Sequence, residues 1–214
     1  MVRIFFAMYI LTDDLYFPPV ERADKYGVLA LGGDLSAERL ALAYRSGIFP
    51  WFNEEEPIIW WAPPQRMVLF PEEIRISKSM RNILNRNMFD ITINRDFEAV
   101  ITQCSKISRA GQQGSWITKG MINAYCQLHE EGLAKSIEVW HQGQLAGGLY
   151  GIDLGHVFSG ESMFSLIPNA SKAAFIHLAG QYELVDCQIH NRHLESLGCR
   201  EIPRKEFMEW LLKA

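Results

Sequence analysis

Several segments of the chain place apolar residues at the spacing of an amphipathic helix, and a capping residue precedes most of them. A helix is predicted near residues 37–46, where Asp34 or Ser36 supplies the N-cap and Gly47 ends the helix in a left-handed turn. The same reasoning predicts helices that begin after Ser77, Asp96 and Thr118, and one near 170–179.

A period of two replaces the helical period after residue 135 and predicts strands at 136–140, 145–151 and 156–162. Short turns join these strands, so we expect them to be antiparallel neighbours. Further strands are predicted at 67–70, 90–94 and 184–188. The apolar run 4–11 is short for a signal sequence and has no small-residue cleavage site after it, so we interpret it as a buried strand.

The order of these elements predicts an α/β (α+β) fold. Pro63 and Pro64 follow a dense aromatic stretch and predict a domain boundary near residue 65. We therefore expect a small N-terminal α/β domain over 1–65 and a larger domain over 66–214. The predicted meander, helix and returning strand of the larger domain indicate a mixed, largely antiparallel sheet. This topology resembles the N-acyltransferase (GNAT-like) fold.

Composition narrows the class of protein. The chain has 214 residues, of which 48% are hydrophobic and 21% charged, as in ordinary globular proteins. The formal net charge of −4 argues against extensive binding of nucleic-acid backbone, although a local basic patch stays possible. No apolar run reaches the roughly 20 residues of a membrane helix. The four cysteines form no C-x-x-C motif, so we expect free thiols and a cytoplasmic protein.

Polar residues at the end of the predicted strand 184–188 are the first candidates for chemistry. Alternation on a strand points Asp186 and Gln188 to one face and turns Cys187 to the apolar face. A buried, unreactive Cys187 is therefore favoured over a catalytic one. A solvated edge strand remains the alternative for the pair. Glu161 follows a glycine at the end of the meander, where it either meets a ligand or lies in a solvated turn.

Tryptophans and basic residues suggest contact with nucleic acid. Predicted loops contain Trp51, Trp60, Trp61 and Trp116. Loop tryptophans either stack on a base or wedge between two domains, and both interpretations stay open. The helix after Ser77 and its flanks carry a basic stripe formed by Arg75, Lys78, Arg81 and Arg86. This stripe is either a solvated face or a contact for phosphates. The N-terminus of the helix that Asn169 precedes is similarly a plain cap or an anion site.

Other chemistries are poorly supported. His190 and His193 lack an evident third ligand, so no metal site is predicted. Neither phosphate-loop motif occurs in the chain. The run 144–149 lacks the last position of the pyrophosphate loop that acyl-CoA users carry, and it lies inside the meander.

Taken together, the segments resemble the leucyl/phenylalanyl-tRNA–protein transferases. The matching runs follow the family's order, which makes the resemblance far more specific than any single run. They are 31–36 (LGGDLS), 47–52 (GIFPWF), 60–63 (WWAP), 115–118 (SWIT), 136–140 (SIEVW), 160–165 (GESMFS), 169–172 (NASK), 186–188 (DCQ) and His193-x-x-Ser196-Leu197-Gly198.

This resemblance implies transfer of Leu or Phe, and also Met, from aminoacyl-tRNA to the α-amine of proteins that begin with Lys or Arg. The product is marked for degradation by the N-end rule, and no metal or nucleotide cofactor is expected. The implied catalytic residues are Asp186, Gln188 and Glu161. The implied substrate-binding residues are Trp51 and Trp116 for the 3′-adenosine and Leu149, Met163, Phe175, Leu178 and Val185 for the aminoacyl side chain. Our hypothesis is that Asp186 fixes Gln188, whose carbonyl orients the attacking amine.

Two departures from the family pattern stand out: Ser115 replaces the usual Thr, and the chain ends soon after Trp210, without the longer tail of some relatives. We expect a monomer that contacts tRNA through its 3′ end. Two other functions compete: an adaptor that binds basic N-termini without chemistry, and a small-molecule N-acyltransferase. The missing pyrophosphate loop argues against the second.

Overall fold

The computed structural model describes residues 9–107 and 116–213, and its strands form two sheets. The first sheet contains β1 (Tyr9–Leu11), β2 (Val28–Gly32), β3 (Phe49–Pro50) and β4 (Ile59–Trp61), with helix α1 (Ala37–Arg45) between β2 and β3. Its strand order is β1-β2-β4-β3. Strands β1 and β2 are parallel, and the other two pairs are antiparallel.

The second sheet has the strand order β11-β5-β10-β9-β8-β7-β6. In chain order its elements are β5 (Gln65–Leu69), α2 (Lys78–Asn85), β6 (Asp90–Ile93), α3 (Phe97–Ser105), α4 (Lys119–Glu130), β7 (Ala134–His141), β8 (Gln144–Asp153), β9 (Val157–Ser165), α5 (Ala170–Ala179), β10 (Leu184–Asp186), α6 (Arg192–Ser196), β11 (Arg200–Pro203) and α7 (Arg204–Leu211). Short 3-10 helices occupy Val20–Arg22 and Pro71–Glu73. Strands β9 and β10 are parallel and the other described pairs are antiparallel, so the mixed, largely antiparallel α/β prediction is confirmed.

Helix caps explain where the helices begin. Ser36, Ser77, Asp96 and Thr118 each accept a hydrogen bond from the backbone N–H three residues later, as predicted. Gly47 ends α1 with a φ of 73°, which a residue with a side chain adopts only at a steric cost. The side chain of Asn169 makes no cap hydrogen bond to α5, so the interpretation as a plain side-chain cap is wrong there.

Two predictions about apolar segments also need correction. The strand β1 is an exposed edge strand, with Ile10 at 77% exposure, because no element covers its outer face among the described residues; residues 4–8 of the predicted strand lie outside them. Trp60 and Trp61 lie on β4, not in a loop. Trp60 is fully buried, and its indole N–H donates to the Gly32 carbonyl at 2.9 Å.

The two sheets share one apolar core. A single cluster of buried side chains contains residues from α1 and β4 of the N-terminal part together with residues from α3, α4 and β8 of the rest. At this junction the rings of Tyr44 and Tyr125 meet edge to face at 6.4 Å. The domain boundary near residue 65 stays a prediction. No helix in the described part of the chain is long and apolar enough to cross a membrane.

Candidate active site

A cavity of about 160 Å³ opens between the first sheet and the strands β8, β9 and β10 of the second. It collects nine of the ten residues proposed above for catalysis and substrate binding: Trp51, Trp116, Leu149, Glu161, Met163, Phe175, Leu178, Val185 and Gln188. The tenth, Asp186, is fully buried and does not line the cavity. Residues that are far apart in the sequence therefore meet at one place.

Glu161 owes its position to a bulge between β8 and β9. Tyr150 pairs with Ser162 and Gly151 pairs with Gly160, so Glu161 is the extra residue on β9. A bulge of this kind changes the direction in which a side chain points. Glu161 is buried, which excludes the solvated turn considered above.

Hydrogen bonds surround the Glu161 carboxylate. The Gln188 amide N–H donates to Oε1 at 2.5 Å, and the Tyr125 hydroxyl donates to Oε2 at 3.1 Å. Burial raises the pKa of Glu161 to about 7, while the neighbouring hydroxyls of Tyr44 and Tyr125 and the amide of Gln188 oppose that rise. A carboxyl group with such a pKa can exchange protons near neutral pH.

Asp186 forms a buried ion pair with Arg66. The guanidinium donates through Nε and Nη2 to the two carboxylate oxygens, each at 2.7 Å, and through Nη1 to the Gly47 carbonyl at 3.1 Å. Ser159 donates a further hydrogen bond to Asp186 at 2.6 Å. The arrangement is the bidentate geometry in which an arginine binds a carboxylate most specifically.

Gln188 differs from the strand residue that alternation predicted. Strand β10 ends at Asp186, and Gln188 has a left-handed φ of 65°. Asp186 accepts the backbone N–H of Gln188 at 2.9 Å and does not contact its side chain. Because the amide N–H of Gln188 donates to Glu161, the amide oxygen is the end of this side chain that can accept a hydrogen bond from a substrate.

Cys187 has the surroundings of an unreactive thiol. Its sulfur lies 3.8 Å from the sulfur of Cys199, and both cysteines are free. The hydrogen bond with Cys199, followed by burial, raises the pKa of the Cys187 thiol well above its usual value. A thiol with a raised pKa is a poor nucleophile, which favours the unreactive interpretation. The residue nevertheless borders the cavity, since the chain leaves the strand before it.

Of the four tryptophans singled out, two reach the cavity. Trp51 is half-buried, packs against the ring of Trp61 at 5.5 Å and accepts the indole N–H of Trp61 on its carbonyl at 2.7 Å. Trp116 is buried and also lines the cavity. The preceding Ser115 lies outside the described residues.

The basic residues predicted to contact tRNA lie outside the cavity. Arg75, Lys78, Arg81 and Arg86 are all exposed, and none of them lines the cavity. The acidic turn at residues 54–56 is also exposed, with Glu56 held by hydrogen bonds from Asn53 at 2.8 Å.

Within residues 9–107 and 116–213, no group of three or more His, Cys, Asp or Glu side chains is arranged for a metal ion.

Sequence reasoning missed the residues behind the cavity. Arg66 and Ser159 hold Asp186, and Tyr44 and Tyr125 stand behind Glu161. A signal for Arg66 existed, because a carboxylate in the apolar strand 184–188 requires a buried partner. Tyr44 and Tyr125 lie on the buried faces of α1 and α4, and helical periodicity carries no information on what their hydroxyls bind.

Comparison with known proteins identifies the family. The family model for the leucyl/phenylalanyl-tRNA protein transferase matches residues 68–212, and the model for its N-terminal domain matches residues 33–64. Among solved structures, a GCN5-related N-acetyltransferase from Kribbella flavida aligns with a TM-score of 0.35 and 9% identity over 77% of this chain and 59% of that chain.

Curated relatives match over nearly the full length. The leucyl/phenylalanyl-tRNA–protein transferase of Flavobacterium johnsoniae is 64% identical over 95% of this chain and 99% of its own. That of Flavobacterium psychrophilum is 56% identical over 96% of this chain and 100% of its own. With matches of this extent on both parts of the fold, the chain belongs to the leucyl/phenylalanyl-tRNA–protein transferase family, whose members are transferases.

Proposed function

We propose that this transferase moves Leu or Phe, and also Met, from aminoacyl-tRNA to the α-amine of proteins that begin with Lys or Arg. The observation that carries the proposal is the single cavity in which two tryptophans, an apolar pocket and the pair Glu161–Gln188 meet. The modified proteins are then degraded by the N-end rule. Because aminoacyl-tRNA is a cytoplasmic substrate, we place the reaction in the cytoplasm, catalysed by a monomer.

The apolar part of the cavity accepts the aminoacyl side chain. Leu149, Phe175, Leu178 and Val185 are buried, and Met163 is partly exposed beside them. A flexible Met and an aromatic ring adapt to unbranched Leu, Phe or Met side chains, whereas β-branched Ile and Val are stiff near the backbone. One methylene changes binding in an apolar pocket by about 1–3 kcal/mol, so we expect a graded preference.

Trp51 and Trp116 hold the 3′-terminal adenosine. An adenine has a flat π face, and stacking on an aromatic side chain contributes about 1–3 kcal/mol per base. The exposed basic stripe formed by Arg75, Lys78, Arg81 and Arg86 takes phosphates of the tRNA body.

Chemistry at the ester needs positioning more than activation. An ester between an amino acid and a ribose hydroxyl is already reactive, so no covalent enzyme intermediate is required. The amide oxygen of Gln188 orients the attacking amine, and Asp186 fixes Gln188 through its backbone N–H. Arg66 in turn fixes Asp186. Holding two reactants in this way contributes at most about 7–11 kcal/mol to lowering the barrier.

The negative charge of the site favours acceptor proteins whose first residue is basic. The carboxylate of Glu161 and the acidic turn 54–56 attract the basic first side chain of the acceptor protein. A protein that begins with an acidic residue meets the same groups with repulsion.

Transfer of labelled leucine tests the proposal. Leu-tRNA is incubated with a peptide that begins with Arg, with its Nα-acetylated twin and with a peptide that begins with Asp. We expect label on the free Arg peptide alone, and slower transfer when Ile-tRNA replaces Leu-tRNA. Binding of the Arg peptide without transfer would support the adaptor instead, and equal use of Ile-tRNA would contradict the pocket.

A further inference from the structure

Two tyrosine hydroxyls lie behind Glu161, and the proposed function above does not use them. Tyr125 donates to Oε2 of Glu161 at 3.1 Å, and its hydroxyl is also hydrogen-bonded to that of Tyr44. Because an ionised carboxylate only accepts, the Tyr125 proton points to Glu161 and the Tyr44 proton points to Tyr125. The three groups form a chain of donors that ends on the carboxylate.

This chain crosses the junction between the two sheets. Tyr44 lies on α1 beside the first sheet, and Tyr125 lies on α4 beside the second. Both side chains are buried and neither lines the cavity, so neither hydroxyl is placed to touch a substrate. Buried hydroxyls are unfavourable unless they are hydrogen-bonded, and a phenylalanine pair would pack an apolar core without that penalty. What the hydroxyls add is their contact with Glu161.

We propose that Glu161 accepts the proton of the attacking α-amine and that Tyr44 and Tyr125 are the positioning residues that hold it ready to do so. The inference rests on the proposed function and adds a route for the proton. Glu161 lines the cavity and touches the side chain of Gln188, the group that orients the amine. The acceptor of the proton and the group that holds the amine are thus in direct contact.

Glu161 takes up one proton during the reaction and returns it before the products leave. The amine nitrogen attacks the ester carbonyl carbon, an N–C bond forms, and the nitrogen loses one proton to the Glu161 carboxylate. The C–O bond to the 3′-oxygen then breaks, and that oxygen leaves with the electron pair and takes the proton from Glu161. The products are an amide and a free 3′-hydroxyl, and the carboxylate is restored.

A hydroxyl pair suits both protonation states of Glu161. Each hydroxyl can donate or accept, so the chain can reverse when Glu161 carries the proton and donates to Tyr125. Burial raises the pKa of Glu161 to about 7, close to the roughly 7.7–8.0 of a peptide α-amine, so the transfer between them is nearly balanced.

The other titratable or charged groups near Glu161 are few among the described residues. Asp186 on β10 is paired with Arg66 of β5, and its charge adds to the rise in the pKa of Glu161. Tyr150 of β8 and His190 also line the cavity, and His190 lies 3.3 Å from Glu195. His190→Asn is therefore included as a control variant in the test below.

The test compares pH profiles of leucine transfer to the Arg peptide for the wild type and Tyr125→Phe. The ratio of their kcat/KM values at each pH cancels the ionisation of the acceptor amine, which is the same in both. Tyr125→Phe removes a donor that favours the carboxylate, so the pKa of Glu161 rises by about one unit or more. We expect a ratio near 0.1 at pH 6 that returns to within about threefold of 1 at pH 9.

Matched variants separate this role from packing. Tyr44→Phe removes the hydroxyl that is hydrogen-bonded to Tyr125, so we expect a pH profile of the same form. Tyr182→Phe removes a hydroxyl next to a different pocket, beside Phe70 and Trp210, and we expect a ratio near 1 at every pH. Glu161→Gln removes the proton acceptor, and general acid–base catalysis is typically a factor of about 10²–10⁴, so kcat/KM falls on that scale.

Three outcomes overturn the inference. A Tyr125→Phe ratio that is low but equal at all pH values assigns the tyrosines a structural role only. A wild-type acid limb that disappears in His190→Asn assigns the titration to His190. A wild-type chain that transfers no leucine overturns the proposed function as well, so the two failures are distinguishable.

A second measurement on Tyr44→Phe does not depend on activity, and it applies if Tyr125→Phe fails to fold. Carbon-13 NMR of glutamate labelled at the side-chain carboxyl follows the titration of Glu161, which is identified by its absence in Glu161→Gln. We expect Tyr44→Phe to move the titration midpoint to higher pH. An unchanged midpoint in a folded variant contradicts the inference without reference to activity.

Discussion

Arg66 connects several parts of the molecule at the candidate active site. Its guanidinium binds both oxygens of Asp186 and the carbonyl of Gly47, and its flat faces lie 4.7 Å from the Phe49 ring and 4.5 Å from the Phe207 ring. Such stacking and bidentate contacts suit arginine and not lysine. At the scale of single residues, this ion pair sets the position of Gln188.

Arg66→Met is expected to lower the free energy of unfolding by about 3–5 kcal/mol, because it leaves Asp186 buried without its countercharge. Urea unfolding measures the change. Arg200→Met is the matched control: it removes an exposed arginine whose Nε lies 2.9 Å from Glu73, and exposed pairs contribute about 0–1 kcal/mol. Equal losses in the two variants would contradict the importance of the buried pair.

Glu161→Gln is expected to change the pH dependence of stability. The pKa of Glu161 is about 7 in the folded chain and 4.5 in an unperturbed side chain, so the folded state binds more protons between those values. The wild type therefore loses stability as the pH rises through this window, by about 3 kcal/mol at most. The variant lacks that loss.

Urea unfolding at pH 5 and pH 8 measures this difference. We take the free energy of unfolding of Glu161→Gln minus that of the wild type at each pH. This difference should be more favourable to the variant at pH 8 than at pH 5. The comparison between two pH values removes the pH-independent effect of replacing the side chain. A constant difference would mean that Glu161 does not titrate in this range.

At the scale of elements, the bulge between β8 and β9 brings Glu161 to the cavity. Two glycines face each other beside it, Gly151 on β8 and Gly160 on β9. A Cβ atom on Gly151 would lie 2.2 Å from the Ser159 carbonyl and 2.6 Å from the Phe158 ring. The strands can approach this closely because Gly151 carries no side chain.

Gly151→Ala is expected to destabilise the chain by about 3 kcal/mol, since overpacking of a rigid site costs typically 1–3 kcal/mol. It should also lower transfer activity in the fraction that remains folded, because the bulge moves Glu161. Gly155→Ala provides the control: its φ is 88°, but nothing lies within 4 Å of its Cβ, so about 1 kcal/mol of backbone strain is expected. Thermal unfolding and leucine transfer, measured on both variants, test this expectation.

Local sequence patterns predicted most elements of the fold but not the fine geometry of the site. Capping residues such as Ser77 and Thr118 act on N–H groups three residues away, so the sequence contains the whole interaction. The bulge at Glu161 shifts alternation by one residue, and the left-handed φ of Gln188 ends a strand that alternation would extend. Both depend on pairing with other strands, which a single segment does not encode.

Partners distant in sequence were harder still. Arg66 and Asp186 are separated by 120 positions, and Tyr44 and Tyr125 by 81. No local sequence pattern connects the two members of either pair. Strand alternation singles out Asp186 and Gln188 as candidates and family resemblance implies their catalytic role, whereas their hydrogen-bond partners are visible only in the structure.

At the scale of the whole molecule, the two sheets depend on each other. The apolar cluster around Trp60 and Tyr125 includes side chains from both, and Arg66 joins Gly47 to Asp186 across the junction. We propose the boundary near residue 65 as a division of topology that the shared apolar cluster crosses. The cavity has walls from both sides, with Trp51 on one and Leu149 on the other.

The long separation between Arg66 and Asp186 has a consequence during synthesis on the ribosome. The cavity lining runs from Phe49 to Leu194, so its first and last walls are synthesised far apart in time. A nascent chain that carries Trp51 and Trp116 but lacks Gln188 has no complete pocket. We therefore expect leucine transfer only from chains in which Gln188 has already been synthesised.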